Sequence, residues 1–127
     1  MLFRSVSGAG ASAISCAKLY IALGVKKENV VMTDSTGVLH MDRNDLDANK
    51  KLFATTRKVH TLAEALKDAD VFLGLSKGNI VSKEMIKVMA KNPIIFALAN
   101  PDPEIAYNDA LEARPDAIIA KIGRAHV

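Results

Sequence analysis

Cysteine is nearly absent from this chain of 127 residues. The single one, Cys16, cannot form an internal disulfide, which suits a reducing, cytoplasmic setting. Inside a helical segment it reads as a small core residue rather than a nucleophile. No Cys/His cluster has zinc spacing, and neither His40 nor His60 has a carboxylate or cysteine at a metal-ligand spacing. No metal ligand is therefore assigned. Tryptophan is missing and aromatic residues make up 5%. The net charge is +3, but Arg4, Lys121 and Arg124 lie near the termini. Without them 14 basic residues face 14 acidic ones. No basic stripe interleaved with aromatics remains, so nucleic-acid binding has no support. The longest apolar run, residues 93–99, falls far short of a membrane span of about 20 residues. Residues 1–5 lack the apolar segment of a signal peptide. Internal repeats, low-complexity tracts and nucleophile elbows are also missing.

What is present alternates between strand and helix. Apolar runs at residues 30–34, 71–75, 94–99 and 117–120 read as strands, the third as buried on both faces. Helical patterns lie between them. Residues 14–22 are rich in Ala and Leu, and Gly24 is a natural stop. Residues 44–53 read as a short helix with a charged face. Thr61-Leu62-Ala63-Glu64 forms a capping box ahead of an apolar stripe. Ser82 caps a helix that buries Met85, Ile86 and Met89. Pro101 and Pro103 stop the strand before them, and residues 107–113 form a last short helix. This order predicts an α/β fold, a Rossmann-like doubly wound parallel sheet with right-handed crossovers.

Ligands of such sheets bind beyond the carboxyl ends of the strands. The residues leaving those ends are the candidates. Gly8-Ala9-Gly10-Ala11-Ser12-Ala13 reads G-x-G-x-x-A, the strand-to-helix turn that carries a dinucleotide pyrophosphate. Gly8 permits the tight turn, Gly10 the close backbone approach, and Ala13 the packing of helix on sheet. The helix start offers N–H groups and a positive dipole end to the anion. Asp34 follows a strand at about the spacing expected of a ribose ligand. Ser76 leaves the next strand end and can contact cofactor. Asn100, between a strand and Pro101, can orient a carboxylate or the nicotinamide amide; an asparagine bonding its own turn is the equal alternative.

The two ends read as foreign. Residues 122–127, with the AG that ends the preceding lysine codon, can be encoded AG ATC GGA AGA GCA CAC GTC, and residues 1–5 GTG CTC TTC CGA TCT, with GTG as a start. The second string is the reverse complement of a stretch inside the first, and both resemble a short-read sequencing adapter. Residues 1–5 and 121–127 are accordingly expected to be loosely placed. Residues 6–120 then form a partial domain, truncated at both ends and cut at or inside its first strand.

Several segments resemble bacterial malic enzymes. These are the glycine turn through Ala17, Ala69-Asp70-Val71-Phe72-Leu73-Gly74-Leu75-Ser76, the stretch from Met89 through Ala99-Asn100-Pro101-Asp102-Pro103-Glu104-Ile105, and Ala113-Arg114-Pro115-Asp116-Ala117-Ile118-Ile119-Ala120. The third is the most specific. The resemblance implies oxidative decarboxylation of malate to pyruvate and carbon dioxide, with reduction of NAD or NADP and a Mg2+ or Mn2+ ion. It implies a cytoplasmic, homo-oligomeric parent enzyme. The family's catalytic tyrosine and lysine and its acidic metal ligands precede the glycine turn, so no catalytic residue is assigned here. A Thr-Gly-Arg-Ser segment and an Asn-Asn pair that follow the last strand in the family have no counterpart. Only Asn100 matches a family residue placed close to nicotinamide and substrate. Isolated, the chain is expected to bind cofactor weakly and to lack turnover. Asp34 favours a free ribose hydroxyl, although some family members with an acidic residue here resemble NADP users. The alternatives are the cofactor domain of an amino-acid or related dehydrogenase and a non-catalytic nucleotide-binding module.

Overall fold

The apolar runs become strands of one sheet. The computed structural model describes residues 4–121. Among them the strands are β1 (Arg4–Ser7), β2 (Val30–Asp34), β3 (Gly37–Val38), β4 (Val71–Gly74), β5 (Ile94–Ala97) and β6 (Ile118–Lys121). Their order across the sheet is β3-β2-β1-β4-β5-β6. All neighbours run parallel except the short β3, which turns back antiparallel on β2. The Rossmann-like expectation holds, and the chain switches sides of the sheet between β1 and β4.

Side-chain alternation divides the strands between two cores. Val6, Met32 and Leu73 face one side and pack on Ala13 and Ala17 of helix α1 (Ala11–Ala22). Phe72, Ile95 and Ala97 face the other and pack on Leu66, Ile86 and Ala110. Those three belong to helices α3 (Leu62–Leu66), α4 (Lys83–Lys87) and α5 (Tyr107–Ala113). Small residues on α1 let it lie close to β1, which brings the helix start down onto the strand ends. Both cap expectations are met. Thr61 accepts from the Glu64 N–H while the Glu64 carboxylate takes the Thr61 N–H, and Ser82 accepts from Met85. None of the helices is long and apolar enough to cross a membrane, among the described residues.

Three readings change. The charged helix is shorter than residues 44–53: α2 covers Ala48–Lys51, capped by Asp47, whose side chain accepts the Lys50 N–H. Upstream, Arg43 and Asp45 are held in an ion pair outside the helix. Second, β5 is buried on one face only. Ile94 and Phe96 are half-buried, and Ile118 beside them on β6 is 66% exposed. Helix α1 covers β1 and β2 rather than this end of the sheet. Third, the strands run into the ends set apart above. Arg4 and Ser5 pair with β2 and β4, and Lys121 pairs with Ala97. Ladder bonds use backbone groups alone, so they extend through any residue that tolerates an extended chain. The rest of both end segments lies outside the described residues.

Candidate cofactor-binding site

The carboxyl ends of β1, β2 and β4 open into one cleft of about 730 Å³, within the range of small-molecule and cofactor pockets. Gly8, Ala9 and Gly10 form its floor, and Asp34 and Thr36 one wall. Leu75, Ser76 and Lys77 form the other wall, and Thr61 and Leu62 close the far side. The sequence thus placed Gly8, Ala9, Gly10, Asp34 and Ser76 in a single site. Ala11, Ser12 and Ala13 form the first turn of α1, beside that floor. Asn100 is exposed at the exit of β5, in a cis bond to Pro101, and does not line the cleft.

The glycines do what the turn demands. Gly8 has φ of 120°, and a side chain there would put Cβ 2.8 Å from the Leu75 carbonyl oxygen. Its N–H continues the ladder to Thr33. Gly10 differs: a Cβ built on it meets nothing within 4 Å. Glycine there keeps a space open instead of relieving a clash. Gly10 is also the N-cap of α1, with no side-chain cap bond and no acidic residue in the first turn. The first N–H groups of a 12-residue helix are left for a ligand. An open approach and unpaired donors fit a pyrophosphate.

Both oxygens of Asp34 already accept hydrogen bonds within the protein. Its Oδ1 accepts from the N–H groups of Thr36 and Gly37 at 3.0 and 3.2 Å and from Arg43 at 2.9 Å. Its Oδ2 accepts from Arg43 at 3.0 Å and Lys50 at 3.2 Å. Five donors occupy a carboxylate with about four lone-pair directions. Burial opposes its ionisation. The hydrogen bonds from Arg43 and Lys50 and from the Thr36 N–H outweigh burial and hold its pKa well below the ordinary carboxylate range. Arg43 is raised in turn by its bonds to Asp45 and Asp34. Asp34 therefore fixes the wall and the two cations beside it.

Ser76 is held at both ends. Its hydroxyl is 2.8 Å from that of Ser7, and its N–H donates to Glu104 Oε2 at 3.1 Å. Glu104 is fully buried, and its Oε1 accepts from the Ala99 N–H at 3.0 Å. One carboxylate thus ties together the loops leaving β4 and β5. A Cβ on Gly74 would lie 2.5 and 2.6 Å from its oxygens, so the strand end must be glycine for Glu104 to fit. Sequence reasoning missed Ser7, Arg43, Lys50 and Glu104. Glu104 stands in the most specific matching segment. Arg43 and Lys50 lie 9 and 16 residues from Asp34 and give no local signal.

A parallel sheet that switches direction beside a glycine turn and an open helix start defines a dinucleotide-binding domain. The family model for the malic enzyme NAD-binding domain matches residues 5–123, and the chain belongs to that family. It is 50% identical to a NADP-dependent malic enzyme of Halomonas elongata over 89% of this chain and 27% of that protein. It is 43% identical to a NAD-dependent malic enzyme of Rhizobium meliloti over 89% of this chain and 15% of that one. A NAD-dependent malic enzyme structure from Thermotoga maritima superimposes with a TM-score of 0.88 at 37% identity, covering 98% of this chain and 34% of the other. The chain therefore spans a minor part of its relatives.

Proposed function

We propose that this chain is the cofactor cradle of a malic enzyme that oxidatively decarboxylates malate to pyruvate and carbon dioxide, with NADP as the acceptor. The observation that carries the reading is the cleft itself, with Gly10 leaving open space under the bare start of α1. The N–H groups of Ala11, Ser12 and Ala13 hold the pyrophosphate. Ser76, fixed by Ser7 and Glu104, lines the path between the strand ends. When bound, the nicotinamide supplies the hydride acceptor. Asn100 remains the candidate for contact near the nicotinamide and substrate.

The choice of NADP over NAD rests on Asp34. Its acceptor sites are filled, while Lys50 and Lys77 line the same cleft and Arg43 backs it. Cations beside a satisfied carboxylate suit a ribose 2′-phosphate better than a ribose hydroxyl. Calorimetric titration of the chain with each cofactor tests this. NADP is expected to bind about tenfold tighter than NAD, or about 1.4 kcal/mol, and Lys50→Ala should close most of that gap. Equal affinities, or tighter NAD, favour a second reading with NAD as the acceptor, which the Rhizobium relative's name supports.

No residue here is assigned to acid–base or metal chemistry of the malate reaction. The chain alone, given malate, manganese and either cofactor, should show no growth of reduced-nicotinamide absorbance. We place the parent enzyme in the cytoplasm, a reading supported by the single cysteine, and expect it to be a homo-oligomer, which light scattering on the longer protein tests.

A further inference from the structure

Outside the cleft, the fold brings His60 against two side chains from well before it in the chain, His40 and Asp42. His40 follows β3, Asp42 lies two residues on, and His60 precedes α3. One ligand atom from each falls within a common span of 4.8 Å. His40 Nδ1 is 2.8 Å from Asp42 Oδ1, and His60 Nε2 is 3.7 Å from Asp42 Oδ2. The two imidazole rings stack with centroids 4.8 Å apart. We propose that His40, Asp42 and His60 bind one divalent transition-metal ion, with zinc or cobalt as its natural probes.

Two observations support a cation here. The first is geometric. A tetrahedral ion with bonds of about 2.0–2.1 Å places neighbouring ligand atoms about 3.3 Å apart. His40 Nδ1 and His60 Nε2 lie 2.8 and 3.7 Å from opposite oxygens of the Asp42 carboxylate, and the ligand atoms lie within 4.8 Å of one another, so the exposed Asp42 and His60 side chains must turn inward to reach that edge. The second is donor bookkeeping. His40 Nε2 is 2.8 Å from the Arg57 carbonyl oxygen and must carry the hydrogen. That leaves the Nδ1 lone pair to take the Asp42 N–H at 3.2 Å and to face the Asp42 carboxylate at 2.8 Å. A positive charge must stand with this pair, either a second proton on His40 or a metal ion. A ring N–H anchored on a backbone carbonyl is also the outer contact that metal-binding histidines make.

The backbone also holds the ligand residues in place. The His60 carbonyl accepts the Val38 N–H and the His40 carbonyl the Arg43 N–H. Met41 and Leu39 pair with Thr55 on either side of His40. Asp42 and His60 keep side-chain exposures of 63% and 59%, so water completes the coordination shell. Two nitrogens and one oxygen select zinc, cobalt, nickel or copper over magnesium and manganese. The ion thus differs in kind from the one that malate chemistry requires. It ties β3 to the start of α3, and residues from both, Gly37 and Thr61, line the cofactor cleft.

The test is titration of the metal-free 127-residue chain with cobalt chloride, followed by visible absorption, and with zinc by calorimetry. One ion per chain is expected. His60→Ala, at an exposed side chain whose carbonyl contacts persist, should weaken binding by about 100-fold. His40→Ala should do the same, with circular dichroism checking its fold. His126→Ala and Cys16→Ser should bind as the parent chain does. Failure of the parent chain to take up cobalt or zinc overturns the proposal, as does undiminished binding by His60→Ala.

Discussion

Replacing Glu104 by glutamine keeps the side chain's shape but trades one acceptor for a donor and removes the charge. The carboxylate is fully buried and accepts one N–H on each oxygen, from Ala99 at 3.0 Å and Ser76 at 3.1 Å. A glutamine keeps one acceptor and presents NH2 to the other N–H. A hydrogen bond to a charged group contributes about 1.5–3 kcal/mol, and an unsatisfied buried donor costs about 1–3 kcal/mol. Removing a buried charge offsets part of that loss. The net expectation is a destabilisation of about 2–3 kcal/mol, a large share of the 5–15 kcal/mol typical of a domain. At about 4 °C per kcal/mol, Tm should fall by about 10 °C. Urea denaturation followed by circular dichroism reads it directly, as a lower midpoint with an unchanged slope. The loop carrying Ser76 should loosen with it, so cofactor affinity should fall too. A Glu104→Gln chain within about 0.5 kcal/mol of the parent would show that the two N–H groups do not depend on this carboxylate, and would refute the reasoning.

Further outcomes concern stability. Asp34 has a depressed pKa, so its contribution is fully present above the ordinary value of 3.8 and is lost as pH falls below it. Asp34→Asn should therefore cost about 2 kcal/mol near neutral pH and flatten the acid limb below pH about 4. Parallel acid limbs in the two chains would contradict the role given to its pairing with Arg43 and Lys50. Ser5 is fully buried in β1, and its hydroxyl has no hydrogen-bond partner among the described residues. Ser5→Ala should stabilise the fold by about 1 kcal/mol, read as a higher urea midpoint; a lower midpoint would mean that the hydroxyl has a partner.

The architecture was legible because its signals are local. Val30–Asp34 is a strand by apolar run, α3 begins where Thr61 and Glu64 form a capping box, and Gly8 and Gly10 mark the turn between β1 and α1. Burial of β5 on both faces was misread because periodicity reports apolar character without saying which helices arrive to cover it. The site was legible only where chemistry and sequence position coincide. Gly10 works through an absence, which a sequence displays directly. Asp34 was found, but Arg43 and Lys50, which reach it from beyond β3, were not. His40 and His60 were read as lacking a carboxylate partner. The backbone pairing of Val38 with His60 brings His60 to Asp42, and a linear spacing rule does not register that contact.

The central claim is that the cleft over Gly10 holds a dinucleotide. A side chain at Gly10 meets no protein atom within 4 Å, so Gly10→Val should leave the fold intact while filling the space a pyrophosphate must enter. The decisive measurement is NADP affinity by calorimetry for the parent chain and for Gly10→Val, alongside a thermal melt of each. Saturable binding by the parent, at least tenfold weaker binding by the variant and matching melts are predicted. Unchanged affinity in a folded Gly10→Val chain would contradict the account.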